Sequence, residues 1–590
     1  MSFTSRTVLK FKDIFPNEDP KEINEYLEGI SRDMLMKFGS FILGFSRNSK
    51  YEHPKTFLEM FFSKGNTAFV KEVFKNLLVF NKEAAYDMED VSFPYIVSSL
   101  SFFEYVYDKE YGDNKPFSNE EVEIAVFKAY LCFNAINTSD RTAILNKSTE
   151  QFKEDAKKFI VAYCMGLQLN NSDFTNYDVF KVFVTQILKA WSFFDFLEGS
   201  GLADDLLHTF YKEYGVASYH QYIKGLLPLQ IAVMAQKRDA HTDIVVPEDK
   251  DMDKNVAFLE KFSITDKELL EDMDFRKMRS RPIYKVDKSK FRLTYPLFVL
   301  ELIGNGLYFN MKSINDGLPK SKKVKDLYGM KTYQFAEKYL LHKLLKEYFG
   351  NRYFQRNGDQ LDGEFDAAPD YYVRNGKRAF LFESKDILIN AAVKQSSDFN
   401  VIDRELSLKL FKNEKGKPKA VLQLVNNIRK ILTKTLQFDK GYNANNVIVY
   451  PILVVHNRIF NTAGLNQWVN FWFQEELEKL KQEGCKISNV KPLVITDIDT
   501  LIFNKDAFSS RKISLEEALL DYQNDFLNFS LEGKVFYSQD EVNQAIKDTL
   551  IPFGIYLDNR IEKMGLRTVP KEFEQLRKSL FNEDQSKTRE

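Results

Sequence analysis

A helical N-terminal half followed by a mixed α/β half is the fold class this sequence predicts, and three observations carry it. Up to about residue 265, apolar residues recur at three- and four-residue steps, Gly and Pro are sparse and strand-like alternation is rare. From about residue 330, helical stretches alternate with short runs rich in Val, Ile, Phe and Tyr, the texture of an α/β domain. The chain has 590 residues, more than one core ordinarily serves, so about two to four domains are expected.

In the first half the clearest helices are expected over 120–135, 150–167 and 179–197. No fixed-period repeat and no catalytic motif is visible there. His53, His208, His220 and His241 stand isolated and read as structural or surface residues. Residues 1–265 are therefore expected to form a recognition or interaction module, a place for a protein partner. A basic connecting segment follows over 266–330. Arg276, Lys277, Arg279, Arg281, Lys285, Lys288, Lys290 and Arg292 interleave there with Phe275, Tyr284 and Phe291, and Lys320, Lys322, Lys323 and Lys325 come after. Such a run either binds phosphates through counterion release or is a solvated linker or charged strand face. The stretch 293–307 reads as a strand and a short helix.

Residues 331–569 are expected to form the α/β domain. Helices are predicted at 333–349, 419–436 and Leu465–Gln482, and strands at 352–355, 370–374, Arg378–Lys385, 447–455 and 493–496. Residues 570–590 are polar and charged and read as a frayed tail.

Bulk composition narrows the function. Hydrophobic residues make up 44% and charged residues 28%, the balance of a globular chain in water, and 14% aromatics supply large core side chains. A net charge of −1 means that any nucleic-acid surface must be a local patch. Cys132, Cys164 and Cys485 lie far apart, with neither zinc-ligand spacing nor an even count for a disulfide framework, so a reducing, cytoplasmic setting is expected. No stretch approaches the roughly 20 apolar residues that span a bilayer, and 1–16 has no apolar core of signal-peptide length; no membrane partner is expected.

The chemistry concentrates between Glu364 and Asp386. Asn375-Gly376 between two strand-like runs is a strong hairpin signal, since both residues tolerate the positive φ of a type I′ turn. That turn would set Arg374 opposite Lys377, Asp370 opposite Leu381, Ala368 opposite Glu383 and Asp366 opposite Lys385. Residues directly opposed or two apart share a face, so Asp370, Glu383 and Lys385 would project together, with Asp366 joining them. The run Ala379, Phe380, Leu381, Phe382 is apolar on both sides, as in a strand covered on both faces. Charges at the end of such a strand are costly to bury, and a bound cation offsets that cost. Two carboxylates are hard oxygen ligands of the kind Mg²⁺ takes, and a lysine beside them steadies charge on a phosphate.

Pro369-Asp370, twelve intervening residues, then Glu383-Ser384-Lys385 resembles the signature of the PD-(D/E)XK nuclease superfamily. The resemblance covers about 330–510 and implies a restriction-endonuclease-like fold, a central mixed β-sheet flanked by helices. It implies Asp370 and Glu383 as metal ligands, the Ser384 carbonyl as a further ligand and Lys385 as the catalytic lysine. Members often carry a glutamate on the helix before the sheet, which Glu337 resembles; the alternative is an acid favoured by the helix dipole. They often carry a glutamine or lysine on the helix after Glu-x-Lys, where Gln423 fits best; the alternative is a solvated amphipathic face. Glu364 and Asp366 could replace Asp370 as ligands. Asp497 and Asp499 read as turn or cap residues, and His456, at a strand end, as more structural than catalytic. There is no phosphate-cradling Gly-Lys-Ser/Thr loop and no Ser-His-Asp signature.

The resemblance thus implies a metal-dependent endonuclease that hydrolyses phosphodiester bonds with Mg²⁺, or Mn²⁺ in its place. DNA is favoured over RNA, a homodimer would supply two active sites, and bacterial restriction or antiviral defence is the setting by analogy. The alternative is a catalytically silent nucleic-acid-binding or regulatory protein that keeps the fold.

Overall fold

The computed structural model describes residues 6–45, 53–112, 115–138, 141–175, 177–235, 242–265, 270, 272–361, 368–536 and 538–587. The first half is mostly helical with a few short strands, and three of its helices begin where a side chain accepts from free amides. Ser118 and Glu121 cap Asn119–Asn137 reciprocally. The Asp178 carboxylate accepts from the Lys181 amide to open Val179–Ser200, and Gly201 closes that helix at φ +62°. The expected helix over 150–167 is instead two, Arg141–Gln151 and Ala156–Gln168, the second started by the Asp155 side chain.

The second half holds a five-stranded mixed sheet. The edge strand Phe354–Asn357 pairs antiparallel with Tyr371–Asn375, which forms a hairpin with the central strand Arg378–Lys385. Ile448–Val455 then lies parallel to the central strand, and Val494–Asp497 parallel to that. The parallel pairs need crossovers, and the helices Ala420–Leu432 and Leu465–Gln482 lie within them.

Both faces of this sheet are apolar and both are covered. Tyr371, Val373, Phe380, Phe382, Tyr450 and Ile452 join a core that runs from Leu9 to Leu580. Tyr372, Ala379, Leu381, Val449 and Leu453 join a second core on the opposite face, roofed by Val421, Leu424 and Ile428. The first half takes part in both: Ile160, Tyr163 and Cys164 lie in the second core. Secondary structure changes near residue 330, but the hydrophobic cores run across that point.

Two expectations need correction. Within the basic stretch, residues 272–330 are folded: Ile283–Lys285 and Lys290–Leu293 belong to a four-stranded sheet, and the buried helix Pro296–Leu302 follows. Several of its basic side chains enter ion pairs, Lys285 with Glu260, Lys290 with Asp287, Arg292 with Asp243, and Arg279 with Asp173. The C-terminal tail is a helix, Lys571–Lys587, whose Leu576 and Leu580 are buried in the first core. Two apolar residues four apart on one helical face suffice to dock it.

Candidate active site

The hairpin register differs from expectation by two residues. Asn375 pairs with Arg378, so the turn residues are Gly376 and Lys377, with Gly376 alone at positive φ (+58°). This is the Gly-X order of type II′ hairpins. Continuing the ladder one step beyond Tyr371–Phe382 sets Asp370 directly across from Glu383. A shift of two preserves the face of every side chain, so Asp370, Glu383 and Lys385 still project together. Glu364 and Asp366 lie outside the described residues.

Asp370 is held by its backbone and its side chain. Its carbonyl accepts from the Gly358 amide at 2.9 Å and lies 3.1 Å from His342 Nε2. Its Oδ2 accepts from the Ser384 amide at 2.7 Å, which fixes the carboxylate beside the central strand. Glu383 is fully buried. Its Oε1 accepts from Lys385 Nζ at 2.6 Å, and Oε2 makes no hydrogen bond among the described residues. Lys385 Nζ is also 4.0 Å from Asp370 Oδ2.

Burial, and after it the neighbouring Asp370, push the Glu383 carboxyl up to about 8, against the pull of Lys385. Burial works against the Lys385 charge, but Glu383, Asp370 and, more weakly, Glu337 outweigh it and hold the ammonium well above its ordinary value. Two carboxyls thus face each other with one ammonium between them, too little positive charge to keep both ionised at neutral pH.

Glu337 is half-buried on the wide-turn helix Met330–Leu341, whose i→i+5 hydrogen bonds precede the regular turn His342–Phe349. Lys331 of that helix pairs with the buried Asp386 at 2.5 Å, tying it to the residue after the central strand. Glu337 therefore lies within electrostatic reach of the trio. Gln423 is half-buried on Ala420–Leu432, over the sheet face that carries Glu383, but among the described residues its side chain makes no hydrogen bond to the trio. The buried polar side chain of that helix is Asn427, whose Nδ2 donates to the Gln423 carbonyl at 3.0 Å.

Two histidines join the site from positions that sequence patterns did not favour. His342, on the helix before the sheet, supports the Asp370 carbonyl; its signal was a polar residue among Leu340, Leu341, Leu344 and Leu345. His456 follows the strand Ile448–Val455, and its Nε2 lies 2.9 Å from Ser384 Oγ. Burial holds its imidazole down at about 4, so it is neutral over most of the pH range. Asp497 caps the helix Ile498–Phe503 as expected, and Asp499 pairs with Lys189 at 2.8 Å.

The residues fit a divalent cation in one respect that matters. A buried carboxylate oxygen without a partner, opposite a second carboxylate, is costly unless a cation joins it. Among the described residues no group of three or more His, Cys, Asp or Glu side chains is placed to hold a metal. Asp370 and Glu383 would therefore share a cation with main-chain oxygen and water, which suits Mg²⁺. Among the described residues no helix is long and apolar enough to cross a membrane. Comparison with protein-family models, curated proteins and solved structures found no match.

Proposed function

We propose that this protein is a metal-dependent nuclease with its active centre at Asp370, Glu383 and Lys385. The observation that carries the reading is the fully buried Glu383, one oxygen on Lys385 and the other without a hydrogen-bond partner among the described residues, set across the hairpin from Asp370. The antiparallel hairpin that leads into two parallel strands is in keeping with the PD-(D/E)XK resemblance. So is the position of the trio at the carboxyl end of the central strand.

In this reading Asp370 and Glu383 hold the cation, and the Ser384 amide orients the Asp370 carboxylate toward it. A cation there would neutralise the facing carboxylates and supply Lewis acidity toward phosphate oxygen and water. Lys385, beside both carboxyls, would place its ammonium where negative charge grows on the scissile phosphate. His342 and His456 hold the backbone at Asp370 and the Ser384 side chain. The substrate is a phosphodiester of nucleic acid, with DNA favoured over RNA.

The test is cleavage of plasmid DNA, single-stranded DNA and RNA with Mg²⁺ or Mn²⁺. Wild type should cut, and Glu383→Ala and Lys385→Ala should each lose activity by a factor of about a hundred or more. Equal cutting by all three proteins sinks the assignment. Binding of the same substrates without cutting by wild type would favour a silent nucleic-acid-binding protein.

A further inference from the structure

After the central strand the chain forms a short, structured, strongly basic loop. Lys412 bridges antiparallel to Pro418. Within the loop, the Lys415 and Lys417 amides donate to Asn413 Oδ1 at 3.1 and 2.8 Å, and Gly416 adopts φ +74°. The Lys419 amide closes it on the Phe411 carbonyl at 2.8 Å. Leu410 and Ala420, which bracket it, are fully buried in the core behind the central strand. Lys412, Lys415 and Lys417 are exposed and Lys419 half-exposed, and none of the four enters an ion pair among the described residues. The only acid in the loop is Glu414. In the run at 276–292, by contrast, Arg279 and Arg292 are bound within the fold.

The loop lies at the active-site end of the sheet. The Tyr442 hydroxyl donates to the Ile431 carbonyl at 3.1 Å, and Asp439 of the same segment binds Arg374 beside the hairpin turn. The carboxyl end of Ala420–Leu432 is thus at the turn end of the hairpin. Its amino end, with the loop before it, is at the opposite end, where Asp370 and Glu383 stand. The loop exposes Lys, Glu, Gly and Pro and no large apolar side chain, so it lacks the anchor of a protein interface or a bilayer-inserting segment. Ammonium groups on a hydrogen-bonded turn suit a row of phosphates.

We propose that Lys412, Lys415 and Lys417 form a contact for the nucleic-acid backbone that brings phosphates to the carboxylate–lysine centre. This rests on the nuclease reading for what the contact serves, but it is tested by binding alone. The probe is a short fluorescent DNA duplex, with an RNA duplex of the same length, titrated with the full chain in EDTA across a salt series. Wild type should show log K falling linearly with log salt. The triple variant Lys412→Gln, Lys415→Gln, Lys417→Gln should lower that slope by about 2 to 3, near 0.9 for each lost phosphate contact. The control triple Lys250→Gln, Lys254→Gln, Lys288→Gln, also on exposed residues, should leave it unchanged. Melting temperatures of both triples should match wild type, since the replaced side chains are exposed.

An unchanged slope in the loop variant, an equal fall in the control, or no binding by wild type overturns the proposal. Cutting with Mg²⁺ is scored separately. Loss of slope without any cutting keeps the contact and removes the nuclease reading; cutting with an unchanged slope does the reverse.

Discussion

Lys385 and Glu383, two residues apart on the central strand, form a 2.6 Å ion pair that uses one oxygen of a fully buried carboxylate. The second oxygen has no hydrogen-bond partner among the described residues, and Asp370 stands opposite with its own charge. An ammonium alone leaves this arrangement electrostatically incomplete, and that has consequences for stability.

The first concerns pH. Glu383 titrates near 8 in the folded chain, against an ordinary value of 4.5. Between those values the folded state keeps a proton that the unfolded state releases, so stability falls as pH rises from about 4.5 to about 8. Glu383→Gln removes this term. Melting temperatures of the two proteins should agree near the lower limit and separate toward the upper, with the variant higher. A variant less stable than wild type at the upper limit would refute the charge-burial account.

Metal binding should repay the same cost. Mg²⁺ at a hundredfold excess over its Kd should stabilise wild type by about 2.7 kcal/mol. Asp370→Ala and Glu383→Ala should abolish the shift, while Lys385→Ala should keep it, because lysine is not a ligand. Scanning calorimetry with and without Mg²⁺ decides. A shift that survives both carboxylate variants places the ion elsewhere.

A buried ionic network joins the two halves of the chain. Lys394, 4% exposed, lies 3.1 Å from Asp173 and 2.5 Å from Asp274. Burial opposes the Asp173 charge, but Lys394, Arg279 and Arg458 outweigh it and hold the carboxyl at about 2, so its contribution is full above 3.8 and is lost as pH falls toward 2. Lys394→Met removes one of the cations that these carboxylates share and leaves them Arg279, so it should cost about 1–3 kcal/mol. Denaturant unfolding should show that loss in one transition, since Asp173 and Lys394 lie in different halves. A cost below about 1 kcal/mol would mean that water replaces the lysine.

The C-terminal helix gives a fourth test. Leu576 is 1% exposed in the main core, so Leu576→Ala should cost about 2–5 kcal/mol. A frayed tail would tolerate the change with no measurable shift in denaturation midpoint.

The amino-acid sequence by itself determined which side chains of the hairpin share a face. Strand alternation has a period of two, so Asp370, Glu383 and Lys385 project together in either of the registers that differ by two. It also determined, in order, the five strands of the sheet and the helices near 333–349, 419–436 and 465–482, because apolar periodicity is local, but not the helices Ala391–Ser396 and Phe399–Leu406 or those after Val494–Asp497. Tertiary structure alone decided that the turn uses Gly376-Lys377 and sets Asp370 against Glu383, since the choice between adjacent turn positions depends on the neighbouring strands. It decided that Arg279 serves Asp173, 106 positions away in sequence. It decided that His342 and His456 reach the site and that Leu576 docks a polar tail. Burial and ion pairing depend on which distant surfaces come together, and no local pattern along the chain encodes that.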